Sequence, residues 1–108
     1  MENFILNKLS ELGIPQVELS RYDEPHRFYH NREHIETMIA NARSRNILTD
    51  ELFLAIVFHD IIYNPKTNNN EELSADLFYR YVQNDSVRQA ILETKTHTPT
   101  SELSKQLC

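Results

Sequence analysis

The chain has 108 residues, with 11 Lys and Arg against 16 Asp and Glu and a formal net charge of -5. That length fits one domain, residues 1–108, able to bury about two-thirds of its unfolded surface, and the scattered basic residues argue against a face tracking the phosphates of long nucleic acid. No run approaches the roughly 18 apolar residues of a membrane span, the first residues lack a signal peptide's basic flank and apolar stretch, and a single cysteine, Cys108, allows no intrachain disulfide, so a cytoplasmic location is expected.

Between Gly13 and the prolines Pro15, Pro25, Pro65 and Pro99, apolar residues recur at helical spacing, which predicts an all-α domain of about five helices. Phe4, Ile5, Leu9 and Leu12 form one stripe, with Gly13 as its C-terminal stop. A second helix is expected after Pro25, carrying Tyr29, Ile35, Met38, Ile39 and Ala42 and ending near Asn46. Thr49 reads as the N-cap of a third, with Asp50 and Glu51 in its first turn and its end at about Ile62. The stretch from Ala55 to Tyr63 is rich in β-branched and aromatic residues, yet the cap and the length favour helix over strand. From Tyr63 to Asn70 the chain reads as loop, and Asn70 as the cap of a helix with Leu73, Leu77, Phe78 and Tyr81 on its apolar side. Ser86 and Gln89 form a capping-box pair for a last helix with Val87, Ala90, Ile91 and Thr94 inward. After Pro99 the pattern is too weak to predict an element, and fraying is expected.

The chemistry concentrates in the histidines. His30 and His34 are four apart, so on one helix they project about 40° from each other and could share a ligand; the same spacing is common on helices with no site. His59 and Asp60 are neighbours, and both reach one ion only if it lies over the seam between them; otherwise Asp60 orients His59 or caps a turn. If the two helices run antiparallel, three or four groups suited to Mn, Fe, Co, Ni or Zn converge. His97 is either a further ligand or an exposed histidine near a helix end. Arg27, one turn before His30, is a candidate phosphate grip or a solvated arginine. Glu71 and Glu72 suit a helix start by their charge, which leaves a catalytic part for Glu71 as the lesser reading. Tyr22, Phe28, Tyr29 and Tyr63 read as core and pocket wall.

The strings Tyr22-Asp23-Glu24-Pro25-His26-Arg27-Phe28-Tyr29-His30-Asn31, His34-Ile35, Phe58-His59-Asp60-Ile61-Ile62-Tyr63, Asn70-Glu71-Glu72-Leu73-Ser74-Ala75 and Thr94-Lys95-Thr96-His97 together resemble the predicted metal-dependent phosphohydrolases of the HD superfamily. More narrowly, they resemble an uncharacterised bacterial group with the pattern Y-H-N-x-x-H, F-H-D, N-E-x-x-S-A and T-x-x-H. The resemblance runs from Tyr22 to His97. It implies an HD-like helical bundle, a divalent metal (Mn, Fe, Co, Ni, Zn or Mg) held by His34, His59 and Asp60, and His97 as a ligand to a second ion. It also implies phosphate-ester hydrolysis and names no substrate; in a metal-assisted reaction on a small phosphorylated substrate, a phosphate ester or a nucleotide, Asp60 would orient the nucleophile, and His30 and Arg27 would contact the phosphate or protonate the leaving group. Members of the group continue into helices with a D-x-D-L motif that supplies a closing aspartate, whereas after Asp60 this chain has only Asp76 and Asp85. Weak activity and a homo-oligomer that covers apolar faces are therefore expected. The rival expectation is a catalytically inactive helical module that binds metal or ligand, or oligomerises.

Overall fold

The computed structural model describes residues 2–107; Cys108, on which the disulfide argument rests, lies outside them. The described residues form α1 (Glu2–Glu11), a 3-10 helix (Gln16–Asp23), α2 (Arg32–Ser44), α3 (Asp50–His59), α4 (Asn70–Tyr81), α5 (Asp85–Glu93) and α6 (Glu102–Leu107). No strand occurs among them, so the fold is all-α as the periodicity predicts.

Several ends fall where the local chemistry puts them. Gly13 adopts φ 78°, and Gly13 N–H and Ile14 N–H donate to Ser10 and Leu9 carbonyls at 3.1 and 2.9 Å, a left-handed close that glycine enters without a Cβ clash. Asn46 closes α2 in the same way at φ 57°, with Ile47 N–H reaching back to Ala42 at 3.0 Å. Thr49 caps α3 by accepting from Leu52 N–H at 3.1 Å, and α3 stops at His59, not Ile62.

Other ends depart from expectation. α2 begins at Arg32, capped by the Asn31 side chain, so His30 precedes the helix and shares no helical face with His34. Asn70 does not cap α4. Its amide instead accepts from Asn64 N–H at 3.0 Å and donates to the Asn64 carbonyl at 2.9 Å, closing the loop before the helix. Asn84, not Ser86, caps α5, accepting from Val87 N–H at 3.0 Å; the cap lies two residues before the expected one, so the helix begins at Asp85 and a different orphan donor is satisfied. The segment expected to fray forms α6, whose Ser104 and Leu107 are buried.

α3 is the centre of the molecule. Every residue from Leu52 to His59 is buried, and α2, α4, α5 and α6 all pack against it. A helix apolar all round is stable only when neighbours surround it. Phe58 meets Phe78 of α4 edge-on at 5.4 Å between centroids, and Phe53 meets Phe4 of α1 at 6.3 Å. On α4 the buried face is Ser74, Ala75 and Phe78, while Leu73 and Tyr81 are exposed. The predicted stripe is rotated because Ser74 makes its hydrogen bonds inward. Of the apolar residues expected to need a second copy for cover, Ile5, Leu9, Ile56, Val57, Phe78 and Ile91 are buried within the chain, and Phe4, Leu12 and Leu77 pack partly buried against that core. The radius of gyration is 12.7 Å, against about 13 Å for a compact domain of this length.

Candidate metal centre

The C-terminal end of α3 and the start of α2 build the site. His59 occupies the last turn of α3 and is 8% exposed, and its Nδ1 lies 2.6 Å from the Ile56 carbonyl. A carbonyl only accepts, so Nδ1 carries the proton and donates. In the neutral ring Nε2 is then a lone pair, and it faces Asp60 Oδ2 at 3.3 Å. Two acceptors pointed at each other need a cation or a proton between them.

His34 stands in the first turn of α2, where its backbone N–H is held by the Asn31 side chain at 3.1 Å. Its ring lies 5.9 Å from that of His59, centroid to centroid. One ligand atom each from His34, His59 and Asp60 lies within 4.8 Å of the other two. Ligands bound to one transition metal at about 2.0–2.2 Å stand about 3–4 Å apart, so three ligand atoms within 4.8 Å of one another could hold an ion. The donor types, two imidazoles and a carboxylate, suit a first-row divalent metal.

The electrostatics fit a cation. For Asp60, burial disfavours the charge, but the hydrogen bonds and charges of His59 and His30 outweigh it and hold the carboxyl well below its ordinary range. His34 is shifted down by burial and by the nearby His59, which favours the neutral, metal-ligating form. His59 is shifted up: burial opposes its charge, and the bond to Asp60, the Asp60 charge, the Ile56 carbonyl and Glu71 more than compensate.

His30 donates Nδ1–H to Asp60 Oδ2 at 2.8 Å, which orients the carboxylate, and its ring leans on Tyr63 at 4.7 Å. The loop holds it there even without a helix beneath it. Arg27 is placed differently from expectation. Its side chain is 0% exposed; Nη1 donates to the Asp60 carbonyl at 2.7 Å and the His30 carbonyl at 3.1 Å, Nη2 to the Ile61 carbonyl at 2.7 Å and Nε to Glu24 at 2.8 Å. With its donors turned inward, Arg27 fixes the backbone that presents His30 and Asp60 and does not face a phosphate.

A cleft of about 370 Å³ opens on the centre, lined by His30, His34, Met38, His59, Asp60, Glu71, Thr94, His97 and Leu107. His97, at φ 52° in the turn after α5, therefore shares the cleft but not the three-ligand cluster. Phe28 and Tyr29 are 80% and 84% exposed and belong to no core. Tyr22 is buried, and its hydroxyl donates to the Val57 carbonyl.

Three side chains escaped the reading of the residues. Ser74 accepts from Ile62 N–H at 3.0 Å and donates back to the Ile62 carbonyl at 3.3 Å, pinning the chain beyond Asp60. Glu93, buried on α5, accepts from Thr100 N–H at 3.1 Å and Thr100 Oγ1 at 2.6 Å and so holds the approach to α6, whose Leu107 walls the cleft. Glu18 accepts from the Tyr81 hydroxyl at 2.5 Å and ties the 3-10 helix to α4. The available signal was a polar residue on an otherwise apolar helical face, clearest for Ser74 beside Ala75 and Phe78.

A larger groove of about 450 Å³ is lined by Asp76, Tyr79, Arg80, Asp85 and Arg88. Its charges pair locally, Arg88 with Asp76 at 3.8 Å and Tyr79 with Asp85 at 2.9 Å. Asp76 and Asp85 are therefore engaged outside the cleft. Among the described residues no helix is long and apolar enough to cross a membrane. The chain matches no protein-family model, no curated protein and no solved structure.

Proposed function

We propose that the chain is a metal-dependent phosphohydrolase of the HD type, with a divalent ion held by His34, His59 and Asp60 and a small phosphate ester, such as a nucleotide, as substrate. The observation that supports it most is the opposition of His59 Nε2 and Asp60 Oδ2 at 3.3 Å beside His34, in a cleft open to a small molecule. When bound, the ion supplies Lewis acidity, neutralising phosphoryl charge and making water easier to deprotonate. Three protein ligands leave coordination positions for water and substrate, as catalytic sites require.

The chain's own groups divide the remaining work. Asp60, fixed by His30 on its side chain and by Arg27 on its carbonyl, keeps one geometry. His30, half-exposed at the cleft, can present Nε2 to a phosphoryl oxygen or a leaving group while Nδ1 stays on Asp60. Arg27 acts only by positioning the backbone.

The experiment is phosphate release from p-nitrophenyl phosphate and from a set of nucleotides, with manganese or cobalt supplied, in wild type and Asp60→Ala. Release lost in the variant supports the reading. A second reading, a helical module that holds a metal without turnover, draws on the compactness of the three-ligand set, which His97 does not join. Metal binding with no phosphate release would favour it.

A further inference from the structure

We propose that Glu71 is a catalytic residue of this site, the base that takes the proton of the attacking water; the inference rests on the phosphohydrolase reading above. Asp60 and Glu71 are the two carboxylates that line the cleft. Asp60 already accepts from His30 at 2.8 Å and faces His59 at 3.3 Å. His59 spends Nδ1 on the Ile56 carbonyl and directs Nε2 at Asp60. His34 belongs to the ligand cluster. Glu71 lines the same cleft, is only partly buried, and no hydrogen bond or ion pair engages its carboxylate among the described residues.

The helix-start explanation does not account for this placement. Its neighbour Glu72 gives the α4 N-terminus a negative charge and is paired with Lys95 at 2.8 Å, whereas Glu71 lines the cleft together with His30, His34 and His59. An unpaired carboxylate beside a cation-binding cluster has an acceptor to offer to water.

In the step assigned to it, the water oxygen bonds to phosphorus while a Glu71 carboxylate oxygen receives the water proton. The bond from phosphorus to the ester oxygen breaks with its electron pair on that oxygen. The proton passes from Glu71 to the leaving oxygen, giving an alcohol and inorganic phosphate and returning Glu71 to its starting form.

The test uses the full tag-free chain with manganese and compares wild type with Glu71→Gln, which keeps the shape and loses the base. Manganese affinity and thermal stability should be unchanged, while kcat for p-nitrophenyl phosphate should fall by about 100-fold or more. Inorganic phosphate, followed by calorimetry on the manganese-loaded chain, should bind more tightly to the variant because a like charge facing it is gone. A structural role would not move hydrolysis and phosphate affinity in opposite directions. Glu71→Asp, with the carboxylate withdrawn by one methylene, should retain part of the rate. An unchanged kcat in Glu71→Gln, or manganese affinity lost in parallel with rate, overturns the assignment alone. A wild-type chain that releases no phosphate overturns the underlying reading and this assignment with it.

Discussion

Arg27 shows how far a residue's role depends on where its donors point. A guanidinium satisfied by three backbone carbonyls and one carboxylate is a clamp, and its removal strands buried carbonyls. Arg27→Lys cannot reproduce the fork and should destabilise the fold by about 2–4 kcal/mol in denaturant titration; a phosphate-gripping arginine would instead leave stability intact and raise KM. Glu93 gives a second residue-scale expectation. Bonds from Ser104, Thr100 and Gln89 lower its pKa from 4.5 to about 2. A depressed carboxylate contributes stability that is present above the unfolded value and lost as pH falls through the folded one. Glu93→Gln should therefore unfold at lower temperature than wild type at neutral pH, with the gap closing between pH 4.5 and about 2. A constant gap across that window contradicts the account.

At the scale of elements, the caps separate what periodicity can and cannot read. Thr49→Ala should cost about 1 kcal/mol, the typical value for a lost N-cap. Asn84→Ala should cost a similar amount, and Ser86→Ala should cost little, because Asn84 and not Ser86 receives the Val87 N–H. Equal losses at Asn84 and Ser86 in thermal unfolding would restore the capping box. The apolar stripes of α1 and α5 were legible because side chains at three- and four-residue spacing pack on one side, and α3, apolar all round, was legible from its Thr49 cap and its length. The start of α2 was not, since Asn31 competes with the sequence after Pro25 through a single side-chain bond that hydropathy does not register. α6 was illegible for a related reason: its docking depends on Glu93, Thr100 and Ser104, polar groups distributed over two elements.

At the scale of the molecule, the buried all-apolar α3 sets where the chemistry can occur. Its last residue, His59, leaves the core at the point where α2 and the start of α4 come together, and the tight turn at Asp60 brings the adjacent carboxylate over the same seam. Phe58→Ala, which empties the centre between α3 and α4, should cost about 3–5 kcal/mol and weaken metal binding only as the fold is lost. His34, His59 and Asp60 were legible as ligand types from the sequence, whereas the backbone clamp of Arg27 and the pin of Ser74 were not, because carbonyl partners leave no trace in residue identity.

The most direct test of the central claim is the metal content and manganese or zinc affinity of tag-free protein, wild type beside His34→Ala, His59→Ala and Asp60→Ala. The account predicts stoichiometric binding by wild type and loss of about 10- to 100-fold or more in affinity for each variant, with helicity by circular dichroism retained. Undiminished binding in all three folded variants would contradict it.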